Sequence, residues 1–260
     1  MKNVSILGCG WLGKPLAISM LEKGYAVKGS TTSKEKIVAL EKIKILPFLV
    51  DISLNENFSA FLHSDILIIA ITSKHIEDFK RLISQIEKSI IQKVIFISST
   101  SVYDSKNKVM TEEDKVLETP LSKIENLFRE NPSFETTIIR FAGLFGANRK
   151  PGNWFQDGRK IPQPNGFVNM IHQKDCIRII EKIIVQNTWN ETFNACSNHH
   201  PTRREFYTKA KQRLGFDAPE FEENEVLKYK IISSEKLQKR LEYHFVYDNL
   251  LDCISVKNIT

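Results

Sequence analysis

The chain has 260 residues, enough for one large α/β domain or one domain with a small appendage. Its apolar and charged fractions are those of an ordinary globular protein, and no apolar run is long enough to span a bilayer, which argues against a membrane role. The formal charge of +6 is scattered along the chain with no accompanying nucleic-acid motif, which argues against a nucleic-acid partner.

Taken in order, the apolar run Val4-Ser5-Ile6-Leu7 predicts a first strand. Gly8-Cys9-Gly10-Trp11-Leu12-Gly13 follows, and residues 12–23 form an amphipathic helix that stops at Gly24. A second strand is expected over 25–30. Ser33 then caps a helix carrying Ile37, Leu40 and Ile43. A short strand is expected over 45–50, with Pro47 marking an edge. The uninterrupted run 66–71 predicts a strand buried on both faces. Ile76, Phe79, Ile83, Ile86 and Ile90 lie at helical spacing, and 94–97 is another buried strand ending at Ser98 and Ser99. A helix over 121–129 and a strand over 137–141 complete this rhythm.

Residues 143–168 break it. They are rich in Gly, Pro and Asn and carry Arg149, Lys150, Arg159 and Lys160, four cations that either meet an anionic substrate or are simply solvated. A strand (169–172), a helix from Asp175, a strand (192–196) and a helix (203–214) follow, and from Ala218 the chain is charged and less regular. The alternation predicts an α/β fold with a Rossmann-type doubly wound parallel sheet and a small C-terminal α/β substrate-binding portion. The expected division is 1–145 for the dinucleotide-binding core and 146–260 for the substrate portion, with 169–200 contributing to the core.

A glycine turn between a first strand and a first helix has a physical reading. Gly8 makes the tight turn, Gly10 lets a pyrophosphate approach the backbone, and Gly13 lets helix pack on strand, with Trp11 and Leu12 between them. The helix N-terminus then faces the phosphates. Ligands in such sheets lie beyond the carboxyl ends of the strands, which adds Asp51, Ala70 and Ser98 to the cofactor set. An NAD site places an acid at the end of the second strand; here Ser30, Thr31, Thr32, Ser33 and Lys34 stand there, and no acid appears before Glu35. Hydroxyls and a lysine suit a 2′-phosphate, each charge-assisted bond contributing about 1.5–3 kcal/mol. NADP is therefore the expected cofactor, with NAD possible; the competing reading has Ser33 as a helix cap and Lys34 solvated.

The glycine turn is joined by Ile97-Ser98-Ser99-Thr100-Ser101-Val102-Tyr103, by Arg140 ahead of Gly143-Leu144-Phe145-Gly146, and by Ile171-His172-Gln173-Lys174-Asp175. In this order these segments resemble the extended short-chain dehydrogenase/reductases, the NAD-dependent epimerase/dehydratase family. Gly10-Trp11-Leu12-Gly13-Lys14-Pro15-Leu16-Ala17, Phe193-Asn194-Ala195-Cys196 and residues 237–246 are similar to an atypical branch of it. The resemblance implies an oxidoreductase or epimerase acting on a small carbonyl, alcohol or nucleotide-sugar-like substrate. It casts Ser99 as the hydroxyl that orients the substrate oxygen, beside a tyrosine acid/base with a lysine four residues later. That tyrosine is absent: the expected region reads Glu118-Thr119-Pro120-Leu121-Ser122-Lys123-Ile124-Glu125. Ser122 and Lys123 are the candidates there for a hydroxyl and an ammonium, or else a capped helix start. Tyr103 is the nearest phenol, and its family counterpart is structural. Arg140, His172 and Asp175 are substrate-side candidates, each with a structural alternative: an internal pair, a structural hydrogen bond and a helix cap.

The missing tyrosine also admits a non-catalytic NADP-binding sensor or scaffold. A third likeness, of residues 8–24 to β-hydroxyacid dehydrogenases, requires a large all-helical second domain, whereas the sequence after Asn169 mixes strands with helices and is too short. Cys9, Cys176, Cys196 and Cys253 form no CxxC pair and no metal-ligand cluster, so no metal is expected and reduced thiols in the cytoplasm are. Extended relatives are often dimers, so the resemblance implies a homodimer.

Overall fold

The computed structural model describes residues 2–223 and 226–254. Its elements are β1 (Asn3–Leu7), α1 (Gly13–Glu22), β2 (Ala26–Thr31), α2 (Ile37–Glu41), β3 (Leu46–Leu49), α3 (Ser59–Leu62), β4 (Ile66–Ile69), α4 (Ile76–Ile86) and β5 (Lys93–Ser99). They continue with β6 (Lys108–Met110), α5 (Pro120–Arg129), β7 (Glu135–Phe141), β8 (Gly143–Phe145), β9 (Met170–His172), α6 (Gln173–Val185) and β10 (Thr192–Ala195). The last are α7 (Arg203–Arg213), β11 (Lys230–Ile232), α8 (Glu235–Leu241) and α9 (Leu250–Cys253).

Seven strands form one sheet in the order β10-β7-β5-β4-β1-β2-β3. β1 pairs in parallel with β2 and β4, β2 with β3, and β4 with β5. The carboxyl ends of these five strands therefore share one edge, and the chain reverses its direction of travel between β1 and β4. That is the doubly wound Rossmann-type fold expected from the alternation. β4 is buried along its whole length, as a central parallel strand requires. β3 is the edge strand, carrying Pro47, with Leu46 and Leu49 exposed.

The chain divides into two compact units: Met1–Ser98 with Glu118–Ile139 and Ile180–Thr192, and Ser99–Leu117 with Arg140–Ile179 and Phe193–Thr260. The units are interleaved in sequence, with Ile180–Thr192 in the first. In the first unit, Phe79 of α4 meets Phe96 of β5 and Phe128 of α5 edge-on, and Phe96 stacks on Phe128 at 5.0 Å. Each such buried ring stabilises the fold by about 1.5–3 kcal/mol. Glu181 of α6, almost fully buried, accepts hydrogen bonds from Ser19 Oγ at 2.5 Å and Lys23 Nζ at 2.7 Å and so ties itself to α1. The second unit has two small parallel sheets, β11-β6 and β8-β9, and a core around Phe145, Met170, Phe206 and Leu250.

Five local expectations are corrected. Ser33 caps no helix with its side chain: a 3-10 turn, Lys34–Lys36, follows it, and its hydroxyl donates to the Glu35 carboxylate instead. α4 ends at Ile86, because the Ser89 hydroxyl and N–H both bind the Ile86 carbonyl, leaving Ile90 off the helix and half exposed. Asp175 does not cap α6, which begins two residues earlier at Gln173. The region after Ala218 is more regular than expected, holding β11, α8 and α9, with Asn249 accepting the N–H groups of Leu251 and Asp252. Within 143–168, β8 and a 3-10 turn (Pro151–Asn153) also replace featureless loop. Among the described residues no helix is long and apolar enough to cross a membrane.

Candidate functional site

Each glycine of the first turn has a separate physical reason. Gly8 has φ +97°, and a Cβ there would meet Ile71 Cγ2 at 2.7 Å and the Ala70 carbonyl oxygen at 2.9 Å. A Cβ on Gly13 would stand 2.1 Å from the Gly8 carbonyl oxygen, so the first residue of α1 is seated directly on the turn. Gly10 is the opposite case: nothing lies within 4 Å of where its Cβ would be. The middle glycine faces open space at the carboxyl end of β1, the place a pyrophosphate occupies in this fold. Leu12, buried, immediately precedes α1, and Trp11 is half-buried beside it.

Ser30 braces this turn. It is almost fully buried; its Oγ accepts the Gly8 N–H at 2.8 Å and its carbonyl accepts the Cys9 N–H at 2.8 Å. The Cys9 sulfur is packed where a Gly29 Cβ would be, and burial pushes its thiol up to about 12. Beyond Ser30, Thr31 Oγ1 accepts the Ser33 N–H at 3.1 Å, while Thr32 and Lys34 are exposed. Glu35 is drawn below the usual carboxylate range by the Ser33 hydroxyl it accepts. Asp51 accepts the Ser53 N–H at 2.9 Å and hydroxyl at 2.7 Å, which lowers its pKa. Ala70 closes the sheet by donating its N–H to Leu7 at 2.8 Å. The Ser98 hydroxyl is taken by the fully buried Glu125 at 2.5 Å, with Arg129 at 3.4 Å from the other carboxylate oxygen. The cofactor candidates thus gather at the ends of β1 to β5, and two of them, Ser30 and Ser98, act there through other protein groups.

The catalytic candidates divide. Ser99, half-buried at the end of β5, accepts the Ser101 N–H at 3.1 Å and caps the 3-10 turn Thr100–Val102. Ser122 is buried in a capping box: Thr119 Oγ1 accepts its N–H at 3.2 Å, and its Oγ accepts the Thr119 N–H at 2.9 Å. Lys123 is exposed. The structural alternative for this pair is the arrangement present.

The substrate-side candidates lie in the second unit. Arg140, buried, donates to the Tyr103 hydroxyl at 2.6 Å and lies over its ring. Tyr103 in turn donates to Asn194 Oδ1 at 2.9 Å; burial raises its pKa above the ordinary phenol value. Glu112, missed from sequence, accepts the Asn194 N–H at 2.6 Å and is also raised, chiefly by burial. Asp175 is completely buried; it accepts the Tyr243 hydroxyl at 2.6 Å and the Val246 and Tyr247 N–H groups at 3.0 Å each. Of the loop cations, Arg159 pairs with Asp157 at 2.6 Å and Lys160 with Glu220 at 3.5 Å. Among the described residues no group of three or more His, Cys, Asp or Glu side chains is placed to hold a metal.

His172 is buried, stacked on Tyr247 at 3.7 Å, with its Nδ1 accepting the Lys174 N–H at 3.2 Å and its Nε2 against Gly146 without a hydrogen-bond partner. Burial, and secondarily Lys174, lower its pKa from 6.5 to about 4. The unfolded chain therefore binds this proton near pH 6.5 and the folded chain only near 4. The stability that a neutral His172 allows is complete above pH 6.5 and is lost as pH falls toward 4, by about 3 kcal/mol in all. Urea midpoints measured at pH 7 and pH 4.5 should show this drop in the wild type and a smaller one in His172→Gln. An equal drop in both would assign the acid sensitivity elsewhere.

These features define a doubly wound Rossmann-type α/β fold with a glycine turn between its first strand and first helix. The family model described as NADP oxidoreductase, coenzyme F420-dependent, matches residues 3–101, which span the glycine turn and the first five strands. Over 274 aligned residues the chain is 29% identical to Protein YeeZ of Escherichia coli strain K12, covering 96% of this chain and 98% of that protein. Among solved structures, a functionally unknown conserved protein from Silicibacter pomeroyi DSS aligns with TM-score 0.81 at 15% identity, over 100% of both chains. A variant of the UDP-glucuronic acid 4-epimerase of Bacillus cereus, in complex with NAD and UDP-4-deoxy-4-fluoro-glucuronic acid, aligns with TM-score 0.79 at 16% identity, over 97% of this chain and 96% of that one. At such identities the structural likenesses establish the fold.

Proposed function

We propose that this chain binds NADP at the Gly8–Gly13 turn and is an oxidoreductase or epimerase-like enzyme acting on a small carbonyl, alcohol or nucleotide-sugar-like substrate. The observation that carries the reading is the contrast within the turn: Gly8 and Gly13 are sterically filled while Gly10 faces open space. A backbone kept bare on its outer side at the N-terminus of α1 suits a pyrophosphate. The matched oxidoreductase model and the NAD-bound epimerase support a nicotinamide dinucleotide. When bound, the nicotinamide supplies hydride chemistry.

The protein's own residues then have these roles. Ser30 holds the Gly8 N–H and so fixes the turn. Thr32 and Lys34, exposed beyond β2, take the 2′-phosphate, while Glu35 is turned to Ser33. Ser99, whose oxygen accepts from Ser101, keeps its hydroxyl proton to donate to a substrate oxygen. Lys34→Glu should reverse the cofactor preference measured by calorimetry, weakening NADP roughly tenfold or more relative to NAD. A variant that keeps the wild-type preference would remove Lys34 from this role.

The capping box that occupies Ser122, and the exposure of Lys123, favour a second reading in which the cofactor site serves a sensor or scaffold. A turnover screen over carbonyl and nucleotide-sugar substrates, run beside Ser99→Ala, separates the two. Turnover that falls by about 10²-fold or more in the variant supports the enzyme; turnover indifferent to Ser99 overturns its assigned role, and no turnover favours the sensor.

A further inference from the structure

In the second unit a cavity of about 190 Å³ opens between the segment after β8 and the end of α7. Its floor is apolar, with Phe145, Leu214 and Ile254. Arg149, Lys150 and Arg213 line it as well, and no described Asp or Glu does. Lys150 and Arg213 have no carboxylate partner among the described residues. Lys150 and Arg213 together raise the local positive potential around this apolar recess.

The cations are carried on a fixed backbone. A Cβ on Gly152 would stand 2.2 Å from the Ala210 carbonyl oxygen, so this segment rests directly on α7. Trp154 and Phe155 anchor it further by packing on Tyr207, with ring centroids 6.3 and 5.3 Å apart. The recess is also small. Pockets for drug-sized ligands run to about 300–1,000 Å³, against about 190 Å³ here.

We propose that this cavity binds a compact organic anion, a carboxylate or phosphate monoester on a small apolar body. The anion meets Lys150 and the guanidinium groups of Arg149 and Arg213, whose planar forks match carboxylate and phosphate oxygens. The apolar body covers Phe145, Leu214 and Ile254.

The test is amide chemical-shift mapping on the full chain with four probes: benzoate, phenyl phosphate, inorganic phosphate and benzyl alcohol. Benzoate or phenyl phosphate is expected to shift the amides of residues 145–152 and 210–214 at lower concentration than either other probe. The tighter of the two identifies the preferred anion. Arg213→Gln should weaken that anion roughly tenfold and leave benzyl alcohol unaffected. The proposal is overturned if neither organic anion shifts these amides, if benzyl alcohol binds as tightly, or if inorganic phosphate does as well as phenyl phosphate. All of these readouts lie in the second unit and hold whether or not the Gly8–Gly13 turn takes a dinucleotide.

Discussion

Gly13→Ala should be the most damaging single methyl addition in the first unit. The new Cβ would stand 2.1 Å from the Gly8 carbonyl oxygen, a backbone atom that cannot rotate away. Relief requires α1 to lift from β1, which also disturbs the packing of Leu16, Ala17 and Met20. Overpacking of a buried site commonly costs about 1–3 kcal/mol and more when backbone must move; the upper end applies here. For a chain of this size that corresponds to a fall of roughly 5–10 °C in melting temperature. Gly10→Ala, three residues away, is the internal control: its methyl meets nothing within 4 Å, so thermal melting should match the wild type within about a degree. If the two variants melt alike, the steric assignment of the turn is wrong.

Asp175→Ala should be comparably severe, for an electrostatic reason. The carboxylate is wholly buried and is the acceptor for one hydroxyl and two backbone N–H groups. Removing it leaves the buried Tyr243 hydroxyl and two part-buried N–H groups without their acceptor, a loss of about 3 kcal/mol or more. Asp175→Asn retains one carbonyl oxygen and should recover about half. Tyr243 reports the same contact: burial first, then its bond to Asp175, raise its pKa, so a phenol titration should find one tyrosine titrating earlier in Asp175→Asn. Denaturation curves for the two variants that overlay the wild type would show that residues 243–247 do not depend on this anchor.

The contrast between these two sites explains how much could be read from the chain. The glycine turn was legible because its causes are local: three glycines within six residues, an apolar run before them and an amphipathic stretch after. The alternation of strand and helix was legible for the same reason, and it led to the doubly wound parallel sheet seen. Asp175 was not. Its place before Cys176-Ile177 looks like a helix cap, and the partners that make it an anchor lie 68–72 residues downstream. Glu125 was likewise silent, since the Ser98 hydroxyl whose hydrogen bond it accepts lies 27 residues upstream. β6 and β11, three residues each and mixed in polarity, have no strand pattern; they pair in register across about 120 residues. The Thr119–Ser122 box had a local signal, a Thr-Pro start three residues ahead of a hydroxyl. The glycine turn therefore follows from local chemistry, and the surroundings of Asp175 from long-range hydrogen bonds.

The most direct measurement is a calorimetric titration of NADP and NAD into the wild-type chain and into Gly10→Val, with melting curves on both. The central claim predicts saturable dinucleotide binding to the wild type, NADP the tighter, and a loss of roughly tenfold or more in Gly10→Val at unchanged melting temperature. A wild type that binds neither dinucleotide, or a Gly10→Val variant that binds as tightly as the wild type, would contradict it.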